Sequence, residues 1–107
     1  MIEQLVEQIE TRFAELERLM SAPEVIGDRE RYAEVGREYR ELEPAHELAR
    51  RYVQLRDDLE GARELLAEDG DDPELRRLVA DTPAELERLG EEIRLAMVER
   101  DPNDART

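Results

Sequence analysis

The chain has 107 residues, of which 43% are charged and 39% hydrophobic, and it contains no cysteine. Its formal net charge of -14 argues against direct binding to nucleic acid or to an anionic membrane, because both surfaces are negative. Without cysteine there are no disulfides, thiolate nucleophiles or cysteine-ligated metals. No apolar run reaches the length of a membrane span, and the glutamates of residues 1–20 do not fit a signal peptide, so we expect a cytoplasmic protein.

The first predicted helix spans about residues 2–20. Its apolar residues recur at alternating steps of three and four, which places them on one helix face as a heptad seam. Pro23 ends the helix, because the residue before a proline avoids the helical conformation. Val25 and Ile26 are expected to pack beneath the connection, and Asp28 is a good N-cap for the next helix. The seam consists of Ile2, Val6, Ile9, Phe13, Leu16 and Met20.

The second predicted stretch spans about residues 29–68 and contains Pro44. The step from Leu42 to Ala45 is three residues where the heptad expects four, so the register slips at the proline. A proline inside a helix removes one hydrogen bond and kinks the axis. The sequence therefore predicts one long helix bent near Pro44 or two helices end to end. The seam consists of Tyr32, Val35, Tyr39, Leu42, Ala45, Leu48, Tyr52, Leu55, Leu59, Ala62 and Leu66.

The third predicted region follows a polar connection in which Gly70 can stop one helix and Asp72 can cap the next, with Pro73 in its first turn. A second start signal, the capping box at residues 82–85, follows with Pro83 at its first helical position. We therefore expect a short helix before Pro83 and a longer one after it. The apolar residues of this region are Leu75, Leu78, Val79, Leu86, Leu89, Ile93 and Ala96.

These elements predict an all-α fold, an elongated antiparallel helical hairpin or three-helix bundle with coiled-coil-like packing. At about 1.5 Å per residue, the helices are roughly 30, 60 and 40 Å long. Short connections make neighbours antiparallel, so the first helix covers one half of the second and the third region returns along the other half. We expect Val98 to end beside Ile2, close to Pro44. Residues 1–100 would form the domain, and residues 101–107 would begin a linker into a further domain.

Few residues are candidates for chemistry. His46 is the only histidine, so it is interpreted as a surface or half-packed side chain and not as a metal ligand. Asp69, Asp71 and Asp72 lack the spacing of a calcium loop and are interpreted as a helix stop and a helix cap. We expect no enzyme activity and no catalytic, cofactor-binding or metal-binding residue. The tyrosines are expected to fill a helical interface with their hydroxyls at its rim: Tyr32, Tyr39 and Tyr52.

Six short segments carry a family resemblance: residues 19–25 (LMSAPEV), 31–32 (RY), 38–42 (EYREL), 43–44 (EP), 72–75 (DPEL) and 100–106 (RDPNDAR). Together they resemble the N-terminal domain of the bacterial peptide chain release factor 1 family. Ala22 and Glu99 depart from that pattern, which usually has Asp and Pro at these positions. The sister factor 2 usually carries a Phe-Trp pair, and this chain has no Trp, so factor 1 is the closer fit.

The resemblance implies an auxiliary domain of a class I release factor, the type of protein that directs stop-codon-dependent release of the nascent chain on the ribosome. In this family a Gly-Gly-Gln loop promotes ester hydrolysis and a separate tripeptide reads the stop codon, and residues 1–107 contain neither. The implied partners are the ribosome near the factor-binding stalk base and the release-factor GTPase. The polar turn at residues 101–104 likewise suggests the first domain of a longer protein.

Two other interpretations of the sequence stay open. A free-standing acidic coiled-coil adaptor would need an unbroken seam, and the slip at Pro44 argues against it. An acidic mimic of nucleic acid would need its carboxylates on one face, whereas they are spread along the whole chain. Narrow apolar stripes also favour pairing with a second copy, so a homodimer is expected in a crystal.

Overall fold

The computed structural model describes residues 2–68 and 70–100, and almost all of them are helical. The all-α fold class is confirmed, and no strand occurs within these two ranges. The predicted linker at 101–107 and Asp69 lie outside the described residues, so what was expected of them stays a prediction. The elements are α1 (Ile2–Ser21), α2 (Pro23–Ile26), α3 (Arg29–Glu68) and α4 (Pro73–Glu99).

The connection between α1 and α3 contains the single-turn helix α2. Val25 is fully buried, as expected, but Ile26 is 55% exposed, so the prediction that both pack beneath the connection is wrong for Ile26. Adjacent residues of a helix point about 100° apart, so one turn cannot bury both. Asp28 caps α3 as predicted, because its carboxylate accepts a hydrogen bond from the backbone N–H of Arg31 at 3.2 Å.

Helix α3 is continuous through Pro44, which decides between the two alternatives that the sequence left open. The proline ring is exposed, so no core contact is lost at that position. The buried face follows the predicted register slip, passing from Leu42 to Ala45 and then through Ala49 to Tyr52. Small alanines thus line the middle of α3, where the other two long helices approach it.

Helix α4 is also continuous, through Pro83, so the predicted break before residues 82–85 is wrong. Asp72 starts the helix by accepting hydrogen bonds from two backbone N–H groups, and Pro73 occupies the first turn. Thr82 is 4% exposed inside the helix and caps nothing.

The physical reason for the continuous helix is packing. A proline inside a helix costs about 3 kcal/mol, so burial of the apolar face of α4 must offset that cost. The apolar face of α4 continues across Pro83, half-buried before it at Leu78 and Val79 and buried after it at Leu89 and Ile93. Fully burying one such side chain contributes about 1.5–3 kcal/mol, which offsets the cost of the proline.

The two outer helices, α1 and α4, each run antiparallel to α3 and pack on opposite halves of it. Glu3 of α1 meets Tyr52 of α3, whereas Phe13 meets Tyr39, so α1 runs back over the first half of α3. The longest dimension is 59 Å, close to the length of α3 itself. Ile2 lies against Gly90 of α4, which confirms that the outer helices meet in the middle. The prediction that Ile2 lies beside Val98 and close to Pro44 is wrong in register, because the meeting point is about two turns earlier than Val98 in α4 and near Tyr52 in α3, so α1 and α4 overlap.

One hydrophobic core runs along this arrangement and contains the predicted seam of α1 together with parts of the predicted seams of α3 and α4. Ile9, Leu16, Leu42 and Ile93 are among the side chains with less than 2% exposure. Because the seams face one another within the chain, they are not presented to a partner helix. The core consists of Val6, Ile9, Phe13, Leu16, Val25, Val35, Leu42, Ala45, Ala49, Tyr52, Leu89 and Ile93.

Candidate functional site

An aromatic stack joins α1 to α3 at the centre of their interface. The ring centroid of Phe13 lies 3.8 Å from the ring centroid of His46, and the two ring planes meet at 10°. It lies 4.5 Å from the ring centroid of Tyr39, with an interplanar angle of 25°. Tyr39 and His46 are two helical turns apart, so they present their rings to one side of α3. Burial holds the pKa of His46 below its ordinary value, and Arg50 adds to this effect. The half-buried histidine is confirmed.

A second contact between α1 and α3 is a pair of charge-assisted hydrogen bonds. Nε and Nη2 of Arg12 donate to the two carboxylate oxygens of Glu38, each at 2.7 Å. Nη1 of Arg12 also donates to Glu15 on the same helix. The bond to Glu38 raises the pKa of Arg12, and the same bond lowers the pKa of Glu38. Sequence reasoning missed this pair, because its partners are 26 residues apart and no local pattern connects them.

The hydroxyl of Tyr52 marks the rim of the interface, as predicted for the tyrosines. It donates to Oε2 of Glu3 at 3.0 Å, while the rest of the side chain is buried. Burial raises the pKa of Tyr52 and the Glu3 bond adds to it, whereas Arg56 and Arg94 act in the opposite direction. Tyr32 is 39% exposed, so the prediction that all three tyrosines fill the interface is wrong for Tyr32. Tyr32 lies in the first turn of α3.

Beyond the first turn of α1, helices α3 and α4 enclose a depression that we call the α3–α4 groove. Its apolar surface includes Leu59 from α3 and Leu86 and Gly90 from α4, and Ile2 and Glu3 stand at one end. Charged side chains line it on both helices. They are Arg56, Arg63, Glu87 and Arg94. Three arginines and two glutamates thus lie beside apolar residues in this groove, and we take it as the candidate binding site.

The arginines of the groove differ in their existing contacts. Arg56 lies 3.6 Å from Asp57, its neighbour in sequence. The ion pairs recorded for residues 2–68 and 70–100 include neither Arg63 nor Arg94. Sequence reasoning missed this grouping, because residues of α3 and α4 line one groove only once α4 has folded back on α3.

No metal-binding arrangement is found among the described residues, where no group of three or more His, Asp or Glu side chains converges. Asp72 acts as a helix cap, as predicted. None of the described helices combines the length and the apolar character needed to cross a membrane.

Comparison with known proteins identifies a family for this chain. The PCRF domain matches residues 9–107, nearly the whole chain. The chain belongs to the PCRF domain family. The peptide chain release factor 1 of Geobacter sulfurreducens is 38% identical over 105 residues, which cover 94% of this chain and 28% of that protein. The factor of the same name from Lactobacillus delbrueckii subsp. bulgaricus is 34% identical over 103 residues, 92% of this chain and 28% of that protein.

These matches confirm the resemblance to bacterial peptide chain release factor 1. The chain spans little more than a quarter of the length of the relatives it matches. No solved structure matches the chain.

Proposed function

We propose that this chain is the N-terminal helical domain of a class I peptide chain release factor and acts in translation termination. The observation that carries the proposal is the alignment to the Geobacter sulfurreducens factor, which covers 94% of this chain but only 28% of that protein. The sequence of residues 1–107 contains no Gly-Gly-Gln motif. The domain is therefore proposed to be an auxiliary part of the factor and not an enzyme on its own.

The proposed partners are protein surfaces of the ribosome near the factor-binding stalk base, together with the release-factor GTPase. A net charge of -14 supports contact with protein and opposes contact with bare ribosomal RNA or an anionic membrane. The buried seams support the same view, because they leave charged helix faces, and not an open coiled-coil seam, for contact. A cytoplasmic location follows from a role on the ribosome.

A domain exchange tests the proposal. Residues 1–107 would replace the matching segment of the Geobacter sulfurreducens factor, and stop-codon-dependent release of a labelled peptide would be measured on programmed ribosomes. We expect the hybrid factor to release peptide faster than the same factor with the segment deleted. Residues 1–107 alone should release nothing. A folded hybrid no faster than the deletion, or release by residues 1–107 alone, would contradict the proposal.

A further inference from the structure

Gly90 of α4 leaves a space that the first residue of α1 fills. A Cβ atom built on Gly90 would lie 3.2 Å from Cγ1 and 3.5 Å from Cδ1 of Ile2. The shorter distance is tighter than ordinary van der Waals contact, so a side chain at position 90 would displace Ile2. Glu3, the next residue, accepts a hydrogen bond from the Tyr52 hydroxyl of α3 at 3.0 Å. Ile2 and Glu3, which we call the N-terminal strap, therefore contact both other long helices.

The space for Ile2 also gives a physical reason for a glycine at position 90. Glycine inside a helix is less favourable than alanine, because it loses more backbone freedom on folding. Gly90 has no positive φ that would require glycine. Gly61 of α3 differs, because a Cβ atom there would meet nothing within 4 Å. Of these two helical glycines, only Gly90 is matched to a side chain from another helix.

The N-terminal strap is held by few contacts. Ile2 is only half-buried, and Glu3 is exposed. Helices α1 and α4 both pack mainly on α3, so the link between these two outer helices is narrow. The ends of helices have the lowest local stability in a fold. The strap can therefore open while the Arg12–Glu38 pair and Phe13 keep the rest of α1 on α3.

We propose that the N-terminal strap opens and closes over α4, and that the middle of α4 loosens from α3 when the strap opens. In the closed state, which the structure shows, Ile2 lies between α3 and α4 and covers Gly90. In the open state this surface of both helices is exposed to water, and α4 loses a contact at its middle. The strap thus couples the start of α1 to α4. This inference does not depend on the role in termination, because its tests use this chain alone.

An engineered disulfide tests the closed geometry. The Cβ atom built on Gly90 lies 3.9 Å from the Cβ of Ile2, within the range of about 3.5–4.5 Å that a disulfide needs. The chain has no native cysteine, so Ile2→Cys with Gly90→Cys should form one intramolecular disulfide on mild oxidation, identified by peptide mass mapping. The control is Gln4→Cys with Gly90→Cys, because Gln4 is exposed and points about 200° away from Ile2 around α1. The control should form at most about a tenth as much intramolecular disulfide.

Glycine-to-alanine substitutions test the space at position 90. Gly61→Ala should raise the melting temperature by about 2–8 °C, because alanine is the better helix former and meets no neighbour there. Gly90→Ala should raise it by less, or lower it, because the new Cβ displaces Ile2. Ile2→Ala removes the two atoms in the way, so in that background Gly90→Ala should recover the gain of Gly61→Ala. Circular dichroism melting measures all of these variants.

Hydrogen exchange tests whether the strap holds α4. The backbone N–H of Arg94 bonds to the C=O of Gly90 and reports on the middle of α4, whereas the N–H of Leu78 reports on its first turns. Ile2→Ser should speed exchange at Arg94 by at least about fivefold, and at Leu78 by less than about twofold. The control Gln4→Ser, at an exposed position of the same turn, should change neither rate by more than about twofold. NMR of the whole 107-residue chain measures both amides.

Three results would overturn the proposal. The first is that the pair at positions 2 and 90 forms no disulfide, or no more than the control pair. The second is that Gly90→Ala and Gly61→Ala raise the melting temperature equally in the wild-type chain. The third is that Ile2→Ser speeds exchange equally at Arg94 and Leu78, which would mean a general loss of stability, or at neither.

Discussion

Phe13 is the only phenylalanine of the chain, and its ring lies between Tyr39 and His46 of α3. Truncating it would remove two ring contacts and leave a cavity in the middle of the α1–α3 interface. Because an aromatic side chain of this burial is large relative to so thin a core, we expect its loss to affect the whole fold.

We predict that Phe13→Ala lowers the free energy of unfolding by roughly 3–5 kcal/mol, the usual range for a buried aromatic residue. Urea unfolding followed by circular dichroism measures this change. The matched control is Leu95→Ala, because Leu95 is 58% exposed and its truncation should cost less than about 0.5 kcal/mol. If Phe13→Ala costs under about 1 kcal/mol, the stack does not hold α1 in place.

His46 should make the stability of the fold depend on pH. Its pKa is lowered in the folded chain, mainly by burial, while Arg50 opposes its charge and Glu10, Glu17 and Glu47 favour it. The unfolded chain therefore takes up the proton first as the pH falls. Above about pH 7, His46 does not lower the free energy of unfolding. As the pH drops through the ordinary histidine pKa of about 6.5, His46 lowers the free energy of unfolding by a growing amount.

The expected result is that the stability advantage of the wild-type chain over His46→Gln shrinks between about pH 7.5 and about pH 5.5. Urea unfolding of both proteins at the two values measures it, and the titration of the carboxylates is common to both. NMR titration of the His46 ring gives its pKa directly. A pKa above the ordinary value would show that the surrounding glutamates outweigh burial.

At the scale of the helix, the prolines show where tertiary packing overrides a local sequence signal. Pro73 and Pro83 both follow a residue suited to N-capping, so in sequence each predicts a helix start. Only Pro73 begins α4, while Pro83 lies inside it. The difference is set by apolar contacts with α3 on both sides of Pro83, which no local pattern contains. Pro44 likewise lies inside a continuous helix, α3.

We predict that Pro83→Ala raises the free energy of unfolding by about 1–3 kcal/mol, because alanine restores a hydrogen bond donor to an intact helix. Pro73→Ala is the control, and it should change stability by less than about 0.5 kcal/mol, since its N–H would have no partner inside the helix. Thermal unfolding compares the two variants. Equal effects would mean that α4 is broken at Pro83 in solution.

Periodicity predicted much of the core, because each long helix has one seam and the seams pack against one another, but it placed Leu48 in the α3 seam where Ala49 is the fully buried residue. Val6, Ile9 and Leu42 are buried as their spacing predicts. The contacts of the surface were not predictable in this way. The Arg12–Glu38 pair and the groove arginines depend on the register between helices, which is set by how side chains such as Ala45 and Ala49 interlock in three dimensions.

At the scale of the whole molecule, α1 and α4 both pack on α3, so the shape of the molecule depends on how straight α3 is. We predict that spin labels at Glu30→Cys and Glu64→Cys lie about 50 Å apart, the rise of 34 helical residues. Pulsed electron paramagnetic resonance measures this distance, and the absence of native cysteine makes the labelling specific. A distance below about 40 Å would show that α3 folds back at Pro44.

The contact between Ile2 and Gly90 also fixes an order of events during synthesis. Ile2 is made well before α4, but one wall of its slot is α4, which contains Gly90 and the fully buried Ile93. While the chain is still being translated, α1 can lie on α3, yet its first turn has no α4 to close over it. The opening turn of the chain therefore stays exposed to solvent and to chaperones until more than four-fifths of these residues have been translated and have left the exit tunnel.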